Sequence, residues 1–352
     1  MIRIIQPLFG EEEKRAVLEI IESHQLTRGR WTKNFQEEFA NYVGTEHCFT
    51  VCSGTTALFI ALRAIGVDRG EKVIVPAMSF MATIDAVFLA CGEPVVVDVD
   101  EFFTIDLNQL EDAVKKYRPR AVIPVHLYGQ VAPMKEIMDL ADRYGFYVIE
   151  DSAQAHGASL MGRKAGSWGH IGAFSFYASK NVPMGEGGAL TTSDKQVAQK
   201  IREIIDFGNK PAFNVRITEF QAAIGTLQLR KLGKMNARRR EIAKKYRSLL
   251  KEHFHLPPER ENSVHAYHLF TLRHPWRDVI VEELNKMEIE ARVYYTYLLH
   301  EIRECEHLPT PTAERLRKEV FSIPAHPYLT DAEVDYIAGQ LIEIISSGKI
   351  ES

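Results

Sequence analysis

Four short apolar runs, each followed by a helical pattern, constrain this chain more than any other feature. HCFTVC (47–52) precedes TTALFIALRAIGV, and KVIVP (72–76) precedes a helix reaching about Ala90. PVVVDV (94–99) precedes LNQLEDAVKKY, and AVIPV (121–125) precedes MKEIMDLADRYG. A fifth run, YVIED (147–151), closes the series. Runs that are Val/Ile-rich throughout, rather than alternating with polar residues, predict strands buried on both faces. Repeated βα units predict a mainly parallel sheet covered by helices, an α/β fold. Two more strand-like runs, AFSFY (173–177) and GALTTS (188–193), come next with no helix between them.

Further along, the pattern changes. Residues 216–252 predict charge-rich helices, and from about 255 the chain mixes strand-like HAYHLFTLR with helical DVIVEELNKM. With 352 residues, two domains are expected: a large one over 1–245 and a smaller α+β one over 246–352. The formal charge of −4 gives no electrostatic reason to expect nucleic acid or membrane as a partner. The basic run Arg238–Arg240 is interspersed with Glu241 and Glu252 and lacks aromatics, so it reads as a solvated helix face. MIRIIQPLFGEEEKRA at the start has no long apolar stretch, which argues against a signal peptide or a span. Cys48, Cys52, Cys91 and Cys305 form no CxxC pair and no zinc-like cluster with histidine. Reduced thiols in a cytoplasmic protein without a bound metal are expected.

Three segments at predicted strand ends could carry chemistry, because ligands of open α/β sheets bind at the carboxyl ends of strands. SGTTAL (53–58) turns from a strand into a helix at Gly54, Thr55 and Thr56. Free N–H groups at a helix start suit a phosphate, although a plain cap and tight turn would need the same residues. EDSAQAHG (150–157) ends an apolar strand with Asp151, a carboxylate that either needs a partner there or caps a helix after it. In FSFYASKNVPMGEGGAL (174–190), Ser175 and Tyr177 lead to Lys180, and glycines 185, 187 and 188 let the chain turn. GxxxxGK[ST], an early GxGxxG and GxSxG are all absent, which counts against a P-loop, a dinucleotide enzyme and a nucleophile-elbow hydrolase. A phosphate cradle, a strand-end Asp and a lysine match the needs of pyridoxal 5′-phosphate, whose ring nitrogen takes an acid partner and whose aldehyde takes a lysine. Phe80, in PAMSFMAT, is a candidate to stack on the ring, with core packing as its plainer role.

These motifs, in this order, resemble the fold-type I, pyridoxal-phosphate-dependent sugar aminotransferases of the DegT/DnrJ/StrS group. The likeness extends through PVHLYGQ (124–130), FNVRITEFQAAIGTLQL, RRREIAKKY, AYHLF and FSIPAHPYLT, nearly the whole chain. It implies that Lys180 binds the cofactor aldehyde, Asp151 partners the ring nitrogen, and Gln154 lies near the phenolic oxygen. Thr55, Thr56 and Ser175 match phosphate-binding positions, and Phe80 matches the stacking aromatic. Asn214 resembles an asparagine that reaches the phosphate of a neighbouring subunit, which implies a homodimer with shared sites. The implied reaction moves an amino group from glutamate or glutamine to a keto-sugar, usually nucleotide-linked, through pyridoxamine phosphate. His156, Tyr177, Arg30, Arg216, Tyr294 and His326 are carried as substrate-site candidates. Arg28, Arg30 or Arg216 would suit a diphosphate, with an ordinary surface ion pair as the alternative. The segment around Tyr294, Tyr295 and Leu298–His300 departs from the His-Tyr and Pro-Leu-His expected of the group. Two other functions share the fold: a dehydratase-like enzyme, which would lack the lysine present here as Lys180, and a non-catalytic regulator.

Overall fold

The computed structural model describes residues 1–206 and 212–346. Thirteen strands occur among them: β1 (His47–Val51), β2 (Lys72–Pro76), β3 (Glu93–Val97), β4 (Ala121–Val122), β5 (Tyr147–Asp151), β6 (Ser159–Leu160), β7 (Arg163–Lys164), β8 (Ile171–Ser175), β9 (Gly188–Thr192), β10 (Ser263–Val264), β11 (Phe270–Arg273), β12 (Glu306–His307) and β13 (Val320–Ile323). Eight of them form one sheet in the order β1-β9-β8-β5-β4-β2-β3-β12. Pairing is parallel from β8 through β12, and β9 runs antiparallel to both β8 and β1. Two antiparallel steps leave β1 pointing the same way as β8 and β5. The carboxyl ends of β1, β8, β5 and β2 therefore open on the same side.

The apolar runs become strands because both faces of the sheet are covered. Val73 and Val75 pack into one buried cluster with Ile60, Ile149 and Leu190. Ile74, between them, packs into another with Val95, Val122, Val148 and Ile137. Opposite-facing neighbours that are all buried select Val and Ile at each position. AVIPV gives only a two-residue ladder at Ala121–Val122. Pro124 has no N–H to donate, yet its carbonyl accepts from Asp151 N (2.9 Å), and Ile123 N donates to Ile74 O (2.9 Å). The extended path thus continues to the sheet's open end.

Four helix starts are marked by side-chain caps. Ser53 Oγ accepts from Thr56 N at the head of Gly54–Ala64, and Asp106 and Asp194 cap Leu107–Tyr117 and Lys195–Ile205 in the same way. The charged region expected over 216–252 is one helix, Glu219–Leu250, with a capping box of Thr218 and Gln221. It crosses the boundary drawn at 245/246. Its Ile242, Ala243, Tyr246 and Leu250 join β11, β13 and the helices Arg277–Lys286 and Asp331–Ser346 in a separate core. Among the described residues, no helix is long and apolar enough to cross a membrane.

Candidate active site

The open ends of β1, β2, β5 and β8 surround a cleft of about 860 Å³. Ser53, Gly54 and Thr55 enter it from β1, Phe80 and Thr83 from β2, Asp151 and Gln154 from β5, and Ser175, Tyr177 and Lys180 from β8. The three segments picked out at predicted strand ends, far apart in sequence, therefore meet in one place.

The turn after β1 is built for close approach. A Cβ on Gly54 would lie 2.7 Å from Ser175 Cβ, so glycine lets the helix start sit against the end of β8. Thr55 lines the cleft, whereas Thr56 is committed to the cap, its hydroxyl 2.9 Å from Ser53 Oγ. Helix N–H groups, the macrodipole and the Ser175 hydroxyl make this corner suitable for a phosphate.

Asp151 is buried at the end of β5. Burial is the largest influence and pushes its carboxyl above the usual range. Opposing it are a hydrogen bond from Thr83 Oγ1 (2.8 Å), the Ala153 N–H (3.2 Å), and the charge of Lys180. Thr83 is itself 2.7 Å from Ser79 Oγ, so two buried hydroxyls form a chain that ends on Asp151. Its neighbour Glu150 faces the other way. That carboxylate accepts from the N–H groups of Gly166 (2.8 Å), Trp168 (2.6 Å) and Gly169 (2.7 Å) and meets His126 Nε2 at 2.9 Å. His126 Nδ1 accepts from Ala132 N, which leaves Nε2 as the donor. Adjacent carboxylates on one strand are thus divided by its two faces, one structural and one facing the cleft.

Lys180 is partly exposed to the cleft, and loss of solvation brings its amine down to about 8, with the Asp151 charge acting in the opposite direction. Gly185 (φ 88°) and Gly187 (φ 155°) supply the left-handed backbone that returns the chain to β9. Gln154 is held at both ends: its Oε1 accepts from Tyr128 N (2.7 Å) and its Nε2 donates to Tyr295 Oη (3.1 Å). Phe80 is 48% exposed, with its ring centroid 5.8 Å from that of Tyr295.

Other candidates fall elsewhere or have different surroundings. Tyr177 and Tyr294 lie on the cleft, and the Tyr294 carbonyl accepts from Tyr128 Oη. His156 is buried between Phe174 and Phe176, 5.5 Å from each ring, and burial brings it down to about 3. His326 lines a narrow cavity that also touches Lys180. Arg30 pairs with Glu19 on the surface. Arg28 (with Asp206, 3.7 Å) and Arg216 line a separate groove of about 590 Å³. Asn214 is exposed and does not line its own cleft. The sequence alone does not single out Thr83, Ser79 or Tyr128 as site residues, and it marks Tyr295 only as a departure from the family pattern. The one available signal was the spacing of Ser79 and Thr83, four residues apart in PAMSFMAT just past a strand.

The donor set fits pyridoxal 5′-phosphate: a glycine-lined helix start, a buried carboxylate and a lysine with lowered basicity share one cleft under an aromatic ring. The family model for the DegT/DnrJ/EryC1/StrS aminotransferase family matches residues 7–342. The chain is 35% identical to dTDP-3-amino-3,4,6-trideoxy-alpha-D-glucose transaminase of Micromonospora megalomicea subsp. nigra, over 94% of each chain. It is 33% identical to GDP-perosamine synthase of Caulobacter vibrioides, over 98% of each. Its fold is similar to that of a DegT DnrJ EryC1 StrS aminotransferase from Brucella abortus, with a TM-score of 0.91, 30% identity and 95% of each chain covered. Similar solved structures include PLP and PMP forms. The chain belongs to the DegT/DnrJ/EryC1/StrS aminotransferase family and is a pyridoxal-phosphate-dependent aminotransferase of amino-sugar biosynthesis.

Proposed function

We propose that this enzyme moves an amino group from glutamate, or glutamine, to the keto group of a nucleotide-linked hexose in a ping-pong cycle. The observation that carries the reading is Lys180, an amine near Asp151 whose basicity is lowered to about 8. A group poised near neutral pH can both accept and return a proton. The dTDP- and GDP-linked names of the relatives support a nucleotide sugar as acceptor.

Pyridoxal 5′-phosphate, when bound, supplies the carbon that exchanges the amino group and the ring that draws off electrons. The Gly54–Thr56 helix start and Ser175 hold its phosphate, and Asp151, kept anionic by Thr83 and the Ala153 N–H, holds a proton on the ring nitrogen. Gln154, fixed by Tyr128 and Tyr295, would meet the phenolic oxygen, and Phe80 would cover the ring and exclude water from it. Lys180 Nζ, free once the donor is bound, would take the proton from the donor's α-carbon and hold it for return. Of the substrate-site candidates, Tyr177 and Tyr294, on the cleft wall, are the two we assign to sugar contacts. We read Asn214 as serving the phosphate site of a second copy, which makes the working unit a homodimer; its exposure outside its own cleft supports this. The four cysteines are free thiols, in keeping with a cytoplasmic setting.

The test is the visible spectrum of the holoenzyme before and after glutamate, with 2-oxoglutarate assayed, then turnover with UDP-, dTDP- and GDP-linked keto-hexoses. Spectral change with 2-oxoglutarate release and amination of one sugar supports the reading. An unchanged spectrum with glutamate and glutamine alike refutes the donor, and amination of none of the sugars refutes the acceptor.

A further inference from the structure

A second, narrow cavity of about 20 Å³ shares Ala178, Ser179 and Lys180 with the cleft. Ile4, Ile5 and Pro7 of the N-terminal segment also line both, and the walls of the cavity alone include Arg239, His268, His326 and Tyr328. That volume holds one water or one ion of similar size. Among the described residues, no Asp or Glu lines it, although Lys180 and Arg239 both do.

Arg239 is the unusual member. It is 8% exposed, and its Nη1 is buried without a hydrogen-bond partner. A buried guanidinium without a counter-charge is costly, so such groups are normally paired. Burial brings this one down to about 10, and the Tyr328 hydroxyl, not a carboxylate, is the group that opposes the fall.

The neighbouring polar groups are already engaged. Glu13, the buried carboxylate of the N-terminal helix, accepts from Gln228 Nε2 (2.8 Å), Lys231 Nζ (2.6 Å) and Gly10 N (2.8 Å). Asn181 Nδ2 donates to Asn236 Oδ1 (3.1 Å), so its Oδ1 accepts from His268 Nδ1 (3.2 Å). His326 Nδ1 accepts from Tyr328 N (3.3 Å), which leaves its Nε2 as the protonated nitrogen. The cavity wall therefore brings together donors from Arg239 and His326 that no protein acceptor among the described residues takes up. Such a set is complementary to an anion and poorly matched to a cation or an apolar group.

We propose that this cavity is a binding site for one small monovalent anion, with the Arg239 guanidinium as its counter-charge. The anion is either a halide, chloride being the common one, or the carboxylate end of a small acid entering from the cleft. Both present the same chemistry to Arg239, and they differ in size and in whether they depend on access through the cleft. The site stands on the geometry of Arg239 and not on which sugar or donor the enzyme uses.

The test is a crystal of the holoenzyme grown in sodium bromide, read by the anomalous signal of bromide. A peak within hydrogen-bonding distance of Arg239 Nη1 is expected, together with a saturable rise of the holoenzyme's melting temperature in bromide over a bulky sulfonate at equal ionic strength. Both effects should vanish in Arg239→Gln and survive, weakened, in Arg239→Lys. Loss of the peak on adding glutarate, with planar density in its place, assigns the site to a carboxylate; persistence assigns it to a halide. No peak and no carboxylate density in the wild type overturns the proposal whether or not the variants fold. A peak that remains in Arg239→Gln marks an adventitious ion only and overturns it as well.

Discussion

Thr83 Oγ1 donates to Asp151 Oδ2 at 2.8 Å, joining the end of β2 to the end of β5 by a hydrogen bond within the protein core. Because Thr83 has one proton to give, the adjacent Ser79 Oγ donates to Thr83 in turn. The chain of hydroxyls therefore favours the charged form of Asp151, against the effect of its burial. Thr83→Val should raise the Asp151 pKa and weaken pyridoxal 5′-phosphate binding about ten- to hundredfold, since a hydrogen bond to a charged group contributes roughly 1.5–3 kcal/mol. Cofactor titration followed by Trp fluorescence measures this, and unchanged affinity would remove Thr83 from the site.

Lys180 controls how quickly the cofactor is captured. With its amine near 8, only the neutral fraction can attack an aldehyde, so uptake by the cofactor-free protein should fall about tenfold per pH unit below that value and level off above it. Stopped-flow absorbance between pH 6 and 9 would record the profile. Lys180→Ala should abolish both uptake kinetics and transamination while leaving the melting temperature within a few degrees; full activity in that variant would sink the assignment.

Gly54 tests the phosphate corner separately from the amine. In Gly54→Ala the new methyl would lie 2.7 Å from Ser175 Cβ, and the end of β8 or the helix start would have to shift. We expect cofactor affinity to fall by tenfold or more, with a stability loss of about 1–3 kcal/mol typical of overpacking. Urea melts of the apo protein beside cofactor titrations separate the two effects; an unaltered affinity would place the phosphate elsewhere.

Acid should unfold the protein through its buried histidines. Burial brings His156 and His265 down to about 3 and His326 to about 4, and pushes His268 well below its ordinary value. A histidine with a lowered folded pKa stays neutral in the fold while the unfolded chain takes up a proton below about 6.5. Stability is therefore retained at neutral pH and lost as pH falls through about 6.5 towards 4, by about 1.4 kcal/mol per pH unit for each such histidine. Denaturant midpoints at pH 7.5, 6 and 5 give the slope, and His156→Asn should make it shallower. A flat profile over that range would contradict the burial of these rings.

Much of the sheet was legible because burial on both faces writes Val and Ile at successive positions, as in KVIVP and YVIED, which match β2 and β5 residue for residue. Lys180, Asp151 and Gly54 were legible for a related reason: strand ends that carry reactive or conformationally special residues stand out against apolar runs. What escaped were contacts between distant segments. Glu219 accepts from the Trp31 and Thr32 N–H groups (2.8 and 3.0 Å), 188 and 187 residues away in sequence. Nothing local in TEFQAA signals that role. Tyr295 and Tyr128, which orient Gln154, were similarly hidden, because a tyrosine in a loop carries no periodic signature of its partner.

β9 sits between β1 and β8, so it is the strand that fastens β1 to the rest of the sheet. During synthesis β1 emerges early but has no partner until Gly188–Thr192 is made, well over a hundred residues later. A ribosome-bound chain that stops short of Gly188 carries the lysine and the aspartate but leaves β1, the strand that leads into the Ser53–Thr56 corner, without its ladder partner. Assembly of the cofactor pocket is thus tied to translation past residue 192, and a prematurely terminated chain is left with an unsatisfied strand edge instead of a partly working enzyme.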